Sequence, residues 1–166
     1  MHFDLRKWRL KDAPSIVKYA NNKKIADNLR DGFPHPYTLA DAENFIRSQG
    51  GDSYSRICLA IDVRGEAVGS IGAFLKDDVY RKSAEVGYWL GEPFWGKGII
   101  TEAIGRICDM AFREFDIVRI YAEPYAYNTG SRRALEKAGF VLEGVLKKSV
   151  CKNGQIFDSC IYALVK

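Results

Sequence analysis

Two glycines around a lysine, Gly96-Lys97-Gly98, stand where a strand pattern gives way to a helix pattern. Upstream, Val86, Tyr88 and Leu90 alternate with Glu85, Gly87 and Trp89 at the strand period, and Pro93, with no N–H to give a ladder, ends the run. Downstream, Ile100, Ala103, Ile104, Ile107 and Ala111 mark one face of a helix. A helix that begins there points unpaired N–H groups, and the positive end of its dipole, into one concavity. That chemistry suits a phosphate or pyrophosphate: the glycines admit an oxygen close to the backbone, and Lys97 adds a point charge. The spelling is neither a Walker loop nor the three-glycine dinucleotide fingerprint, and in isolation a plain tight turn reads equally well.

The elements around this turn are legible from local signals. Phe3 to Trp8 alternates as a first strand. Asp12 lies at an N-cap or first-turn position with Pro14 behind it, and Ala13, Ile16, Val17 and Ala20 keep helical spacing. A short helical piece spans Lys23 to Leu29, and the two prolines near His35 make a loop. Thr38, with Asp41 three residues on, opens a helix that stops before Gly50-Gly51. Strands follow at Arg56 to Asp62, Ala67 to Leu75 and Ser83 to Leu90, then the helix Ile99 to Phe115 and a strand at Ile117 to Glu123. Asn128 caps a helix that carries Ser131, Ala134, Leu135 and Ala138 and ends at Gly139. Strands Phe140 to Cys151 and Gln155 to Leu164 close as a hairpin at Asn153-Gly154. The expectation is one mixed α/β domain over residues 1–166, a mostly antiparallel twisted sheet with about four helices.

Composition narrows the function. A chain of 166 residues with 47% hydrophobic and 28% charged residues can bury an ordinary core. The net charge of +4 comes from scattered pairs such as Arg132-Arg133, which favours a small anionic ligand. No basic stripe with interleaved aromatics points to specific nucleic acid, and no apolar run is long enough for a membrane span. Cys58, Cys108, Cys151 and Cys160 form no C-x-x-C pair, and with no signal-peptide pattern at the N-terminus the expected setting is cytoplasmic with reduced thiols. No metal-ligand spacing is apparent, so no metal is expected.

The order of elements resembles the GNAT superfamily of acyl-CoA-dependent N-acetyltransferases across nearly the whole chain. Two blocks carry the resemblance: Gly87-Tyr88-Trp89-Leu90 with Trp95-Gly96-Lys97-Gly98-Ile99-Ile100-Thr101-Glu102-Ala103, and Asn128-Thr129-Gly130-Ser131 with Glu136-Lys137-Ala138-Gly139-Phe140. The second block runs on through Val141-Leu142-Glu143-Gly144 to the hairpin, a spelling similar to the branch that acetylates ribosomal-protein N-termini. The resemblance implies acetyl-CoA as co-substrate. Its pyrophosphate would lie on the N–H groups of Gly96 to Ile99, with Lys97, Thr101 and Trp95 nearby and its pantetheine arm along Trp89 and Leu90. The sheet would splay between the strands at Ser83 to Leu90 and Ile117 to Glu123, with Asn128 and Ser131 across the gap. The Leu90 N–H is the candidate oxyanion donor. His35, Tyr37 and Tyr125 are the candidate acceptor contacts, and members of this branch often pair as homodimers.

Three departures bear on mechanism. Pro93 stands where an arginine or glutamine often begins the phosphate loop, Leu135 where many members carry a proton-donating tyrosine, and Val150 where the ribosomal branch places a basic glutamate. Ser131 is then the candidate acid, and Glu85 the first choice for a base. An α-amine, with pKa about 7.7–8.0, is roughly one-quarter neutral near pH 7.4, whereas a lysine at about 10.4 is only ~0.1% neutral. A primary amine acceptor with a low pKa, such as a protein or peptide N-terminus, therefore needs the least help. A polyamine, aminoglycoside or amino acid is the rival acceptor, and a non-catalytic acyl-CoA sensor the rival class. Each candidate also has a plainer reading: Glu85 as a solvated strand residue, Ser131 as a small packing residue, Tyr125 as a loop aromatic, His35 as a turn residue, and Arg132 and Arg133 as a solvated helix face.

Overall fold

The computed structural model describes residues 1–50 and 54–166; Gly51, the second glycine of the expected helix stop, lies outside the described residues. Seven strands form one sheet: β1 (Asp4–Arg6), β2 (Arg56–Val63), β3 (Glu66–Leu75), β4 (Ser83–Leu90), β5 (Arg119–Ala122), β6 (Val141–Lys152) and β7 (Gln155–Val165). Their spatial order is β1-β2-β3-β4-β5-β7-β6, antiparallel throughout except for the parallel pair β4–β5. Five α-helices accompany it: α1 (Ala13–Ala20), α2 (Lys23–Ala26), α3 (Leu39–Ser48), α4 (Ile99–Glu114) and α5 (Thr129–Lys137).

The sheet is buried on both faces by two separate apolar clusters. On one face α4 lays Ile99, Ala103, Ile104, Ile107 and Ala111 against Val68, Ile71, Val86 and Leu90, and α5 adds Ala134 and Leu135. On the other, α1 and α3 bury Ile16, Ala20, Ala42 and Ile46 together with Tyr37, and Trp89 packs against them. The alternation along β4 thus divides its residues between the two clusters. A parallel pair needs a long crossover, and α4 supplies it.

The local signals hold where side chains cap their own helices. Thr38 and Asp41 form a reciprocal capping box, and the Asn128 side chain accepts from the Ser131 N–H at 3.3 Å. Asn153 and Gly154 both carry positive φ, 53° and 73°, as a two-residue hairpin turn requires. Asp12 stands at the expected N-cap position of α1, with Pro14 in the first turn, but makes no capping hydrogen bond there. Its carboxylate accepts two hydrogen bonds from Arg6, at 2.8 and 2.9 Å, and one from the Arg9 amide. The helical piece after Asn22 ends at Ala26, and the paired parts of β1 and β5 are shorter than the alternating runs suggest.

Two irregularities shape the centre of the molecule. The β4–β5 pairing is only three residues long, Ser83 with Arg119, Ala84 with Ile120 and Glu85 with Tyr121. Beyond Glu85, β4 runs on to Leu90 without a neighbour on that side, so the sheet opens into a cleft. In the β6–β7 hairpin the register breaks between Leu146 and Val150, leaving Lys147, Lys148 and Ser149 outside the ladder. Lys148 sits at φ 53°, with its N–H given to the Asp158 carboxylate at 2.8 Å.

Candidate functional site

The cleft is bordered by four elements. On its β4 side the ladder fixes which backbone groups face inward. Gly91 gives its N–H to the Val68 carbonyl of β3, so by strand alternation the N–H groups of Tyr88 and Leu90 point away from β3, into the opening. The Leu90 carbonyl accepts from the Trp95 indole Nε1 at 2.7 Å, which pins the short turn after β4. Trp89 turns its side chain to the opposite face, 6.0 Å from Phe33, and is a packing residue of the α1–α3 cluster.

At the head of α4 the backbone is open. Gly96 and Gly98 adopt φ of 72° and 76°, and a Cβ built on either would meet no atom within 4 Å. No side chain caps α4, and the Glu102 N–H is the one that returns to the Gly98 carbonyl. The N–H groups ahead of it have no side-chain cap, and Lys97 and Thr101 belong to the same stretch. Lys97 is exposed, its ammonium 5.7 Å from the Phe94 ring. This is the geometry of an oxyanion cradle.

Across the opening, α5 brings Ser131 to Tyr88: the two hydroxyl oxygens lie 2.6 Å apart. Burial pushes the Tyr88 phenol up to about 12, against the Ser131 hydrogen bond that lowers it. Tyr88 was legible as an alternating strand residue within the Gly87-Tyr88-Trp89-Leu90 block, with no sign that its hydroxyl would meet Ser131. Leu135 is fully buried in the main core. Arg132 is not a solvated helix residue: it braces α5, giving hydrogen bonds to the Tyr162 hydroxyl and the Ala126 carbonyl at 3.1 and 3.0 Å.

On the face away from α4 lies a cavity of about 300 Å³ lined by Arg30, Asp31, Glu123, Tyr125 and the hairpin residues Ser149, Val150, Cys151 and Lys152. Its acids differ in state. Glu85, at the point where β4 and β5 part, takes an ion pair from Arg30 at 2.6 Å on one oxygen and the Tyr121 hydroxyl at 3.0 Å on the other. Asp31 holds the buried Lys152 ammonium at 2.9 Å. Glu123 has no ion pair among the described residues, and accepts from the Ser159 hydroxyl at 3.1 Å, itself 2.6 Å from Ser149 Oγ. Burial, with the charge and hydrogen bond of Glu85, pushes the Tyr121 phenol up to about 12.

The structure therefore gathers Tyr125 and Glu123 at the cavity, with Glu85 behind its Arg30 wall. It does not bring His35 or Tyr37 there. His35 is exposed, and Tyr37 is a core residue 5.1 Å from Phe33 whose phenol burial pushes up to about 12. Glu123 was readable only as a polar alternation; its meaning depends on Ser159, far along the chain. Among the described residues no cluster of three His, Cys, Asp or Glu is placed to hold a metal ion, and no helix is long and apolar enough to cross a membrane.

A parallel pair that splits after three residues, beside a helix that opens on an uncapped G-x-G turn, is a feature shared with a known family. The acetyltransferase (GNAT) domain family matches residues 2–141. This chain belongs to the GNAT acetyltransferases. It is an N-acetyltransferase by family, and its architecture follows theirs. It is 29% identical over 168 residues to the uncharacterized N-acetyltransferase p20 of Bacillus licheniformis, covering 98% of this chain and 92% of that one. It is 37% identical over 102 residues to the putative ribosomal N-acetyltransferase YdaF of Bacillus subtilis, spanning 61% of this chain and 55% of that one. Among solved structures, the Microcin C7 self immunity acetyltransferase MccE in complex with acetyl-CoA and AMP superposes with a TM-score of 0.84 at 28% identity, over 99% of this chain and 92% of that one. The ribosomal L7/L12 alpha-N-protein acetyltransferase RimL, in complex with coenzyme A, matches in fold with the same TM-score of 0.84 at 22% identity, over 98% and 93%.

Proposed function

We propose that this GNAT enzyme transfers the acetyl group of acetyl-CoA to the α-amine of a protein or peptide, and that Glu123 handles the proton of that amine. The observation that carries the reading is the unpaired Glu123 carboxylate facing a cavity beside the β4–β5 cleft. The residues fit the co-substrate: the φ-positive glycines and uncapped α4 head suit a pyrophosphate, with Lys97, Thr101 and Ile99 around it. The β4 edge from Trp89 to Leu90 suits an extended arm, with Trp95, Asn128 and Ser131 bordering the gap. Acetyl-CoA, when bound, supplies the activated acyl carbon that a neutral amine attacks.

Each chain residue then has a task. Glu123 seats the ammonium and accepts its proton, and the Ser159–Ser149 hydroxyl pair holds the carboxylate in place. The Leu90 N–H, turned into the cleft, steadies charge developing on the acyl oxygen. Ser131 presents a hydroxyl to the departing sulfur. Glu85, engaged on both oxygens, organises Arg30 and Tyr121 at the cavity wall, and Tyr125 lines the approach. The charges of the wall balance, Arg30 and Lys152 against Asp31 and Glu123, so it offers no surplus of carboxylates to a polyamine or aminoglycoside. Similarity to YdaF, a putative ribosomal N-acetyltransferase, supports a protein acceptor. His35 and Tyr37, away from this cavity, are left to a wider acceptor surface or to packing. Four free cysteines suit a cytoplasmic setting. The outer strand β6, with Val141, Leu142, Val145 and Leu146 exposed, supports pairing as a homodimer.

A thiol-release assay tests this directly, with acetyl-CoA against N-terminal peptides, lysine peptides, polyamines, aminoglycosides and amino acids. Release on free peptide N-termini is expected, with kcat reduced roughly 100-fold or more in Glu123→Gln. Faster turnover of a polyamine, or an unimpaired Glu123→Gln enzyme, would overturn the acceptor assignment or the role of Glu123 respectively.

A further inference from the structure

A second cavity, of about 440 Å³, opens on the same sheet face and is lined by Lys76, Tyr80, Ser83, Arg119, Tyr121 and Ile161. The register places it in line with the first. Arg119, Tyr121 and Glu123 alternate onto one face of β5, where Tyr121 lies beside Glu85 and Arg119 beside Ser83. Ile161 follows on that face from β7, since Tyr121 pairs with Ala163. The two cavities are thus at opposite ends of one short track, separated by a single ridge where the Tyr121 hydroxyl meets Glu85 and Glu85 meets Arg30.

We propose that this second cavity seats the side chain of the third or fourth residue of the acceptor peptide, lying extended along β5 with its amine at Glu123. The inference rests on the peptide-acceptor reading above. Length supports it: four residue steps of extended chain lead from Arg119 to Glu123, about 13 Å, which an extended peptide covers in about four residues. Chemistry gives the class of side chain. Two polar groups of the wall are engaged elsewhere, Arg119 by Glu143 at 2.9 and 2.6 Å and Tyr121 by Glu85 at 3.0 Å. The rings of Tyr80 and Tyr121 and the chain of Ile161 are left to face the space. Tyr80 is 67% exposed, a large ring with much of its surface uncovered. Lys76 has no ion pair among the described residues, and its charge makes the cavity hostile to a basic side chain. The seat fits an apolar residue and excludes lysine and arginine.

The test is acetyl transfer to free-N-terminus peptides of two to six residues, with leucine, alanine or lysine at positions three and four. The expected result is a rise in kcat/KM of roughly tenfold from the dipeptide to the leucine tetrapeptide, and little or no rise with lysine. Tyr80→Ala removes that rise and leaves dipeptide turnover unchanged; Lys76→Glu restores acceptance of lysine. Tyr80 is exposed and its loss leaves the fold intact, which a melting curve checks. Turnover blind to peptide length, or a Tyr80→Ala enzyme equally impaired on dipeptide and tetrapeptide, overturns this seat alone. Failure of every amine to react while coenzyme A still binds overturns the acceptor reading, and the seat with it.

Discussion

Tyr88 Oη lies 2.6 Å from Ser131 Oγ, a bond that ties β4 to α5 across the mouth of the cleft. Burial keeps the phenol protonated up to about pH 12. Either hydroxyl can donate in this pair; where Tyr88 donates, Ser131 keeps its own proton for another acceptor. Tyr88→Phe should therefore lower kcat roughly 5- to 10-fold, the worth of one hydrogen bond, with little change in KM for acetyl-CoA. Ser131→Ala should do at least as much, and the double variant no more than Ser131→Ala. Steady-state kinetics decide it: independent, additive losses would mean that the two hydroxyls do not act as a pair.

The two glycines ahead of α4 separate strain from charge. Gly98→Ala puts a Cβ at φ 76°, costing about 1–2 kcal/mol without any clash. Its melting temperature and coenzyme A affinity should fall together. Gly96→Asp tolerates its φ better but sets a carboxylate on the proposed phosphate seat, so the Kd for coenzyme A should rise ~100-fold with a smaller loss of stability. Calorimetric titration beside a thermal melt distinguishes the two.

Restoring a tyrosine at the position of Leu135 should not improve the enzyme. Leu135 is fully buried between α5 and the sheet, so the larger ring overpacks the core. The expected cost is about 1–3 kcal/mol, a Tm loss of roughly 3–10 °C, with no gain in turnover. A faster Leu135→Tyr enzyme would show that the hydroxyl reaches the cleft after all.

Acid stability has a local source in the Arg6–Asp12 pair. Burial pushes the Asp12 carboxyl up, but the Arg6 hydrogen bond, the Arg9 amide and the charges of both arginines outweigh it and hold the carboxyl below its ordinary value. A depressed folded pKa stabilises above the unfolded value of about 3.9, and the contribution disappears as pH falls through the folded value. Asp12→Asn should lose roughly 2–4 kcal/mol at pH 7 and show a flatter decline below about pH 4. Urea denaturation at stepped pH measures both.

Signals confined to a few residues were readable before any coordinates. The G-x-G turn, the Thr38–Asp41 box, the Asn128 cap and the Asn153-Gly154 hairpin each act over one turn of chain, and each stands where its spelling places it. Glu123 and Tyr88 were not readable, because their partners are Ser159 and Ser131 and nothing local marks either bond. Tyr37 misled for the same reason: it carries the chemistry of a binding residue, and only the packing of α1 and α3 shows that it is buried among their side chains. Asp12 had the right type and place for a cap, but a guanidinium six residues earlier outcompeted the helix N–H groups.

The three residues left outside the β6–β7 ladder have a further consequence. Lys147, Lys148 and Ser149 end beside the proposed acceptor cavity, yet the hairpin is closed by pairs on either side of them and turned by Asn153-Gly154. The side chains of Lys147 and Lys148 can change while both flanking ladders stand, but Ser149 is tied through Ser159 to Glu123. The head of α4 has no such slack, since it is built from backbone at the start of a core helix. The edge of the cavity is thus open to respelling at two positions and closed at the third.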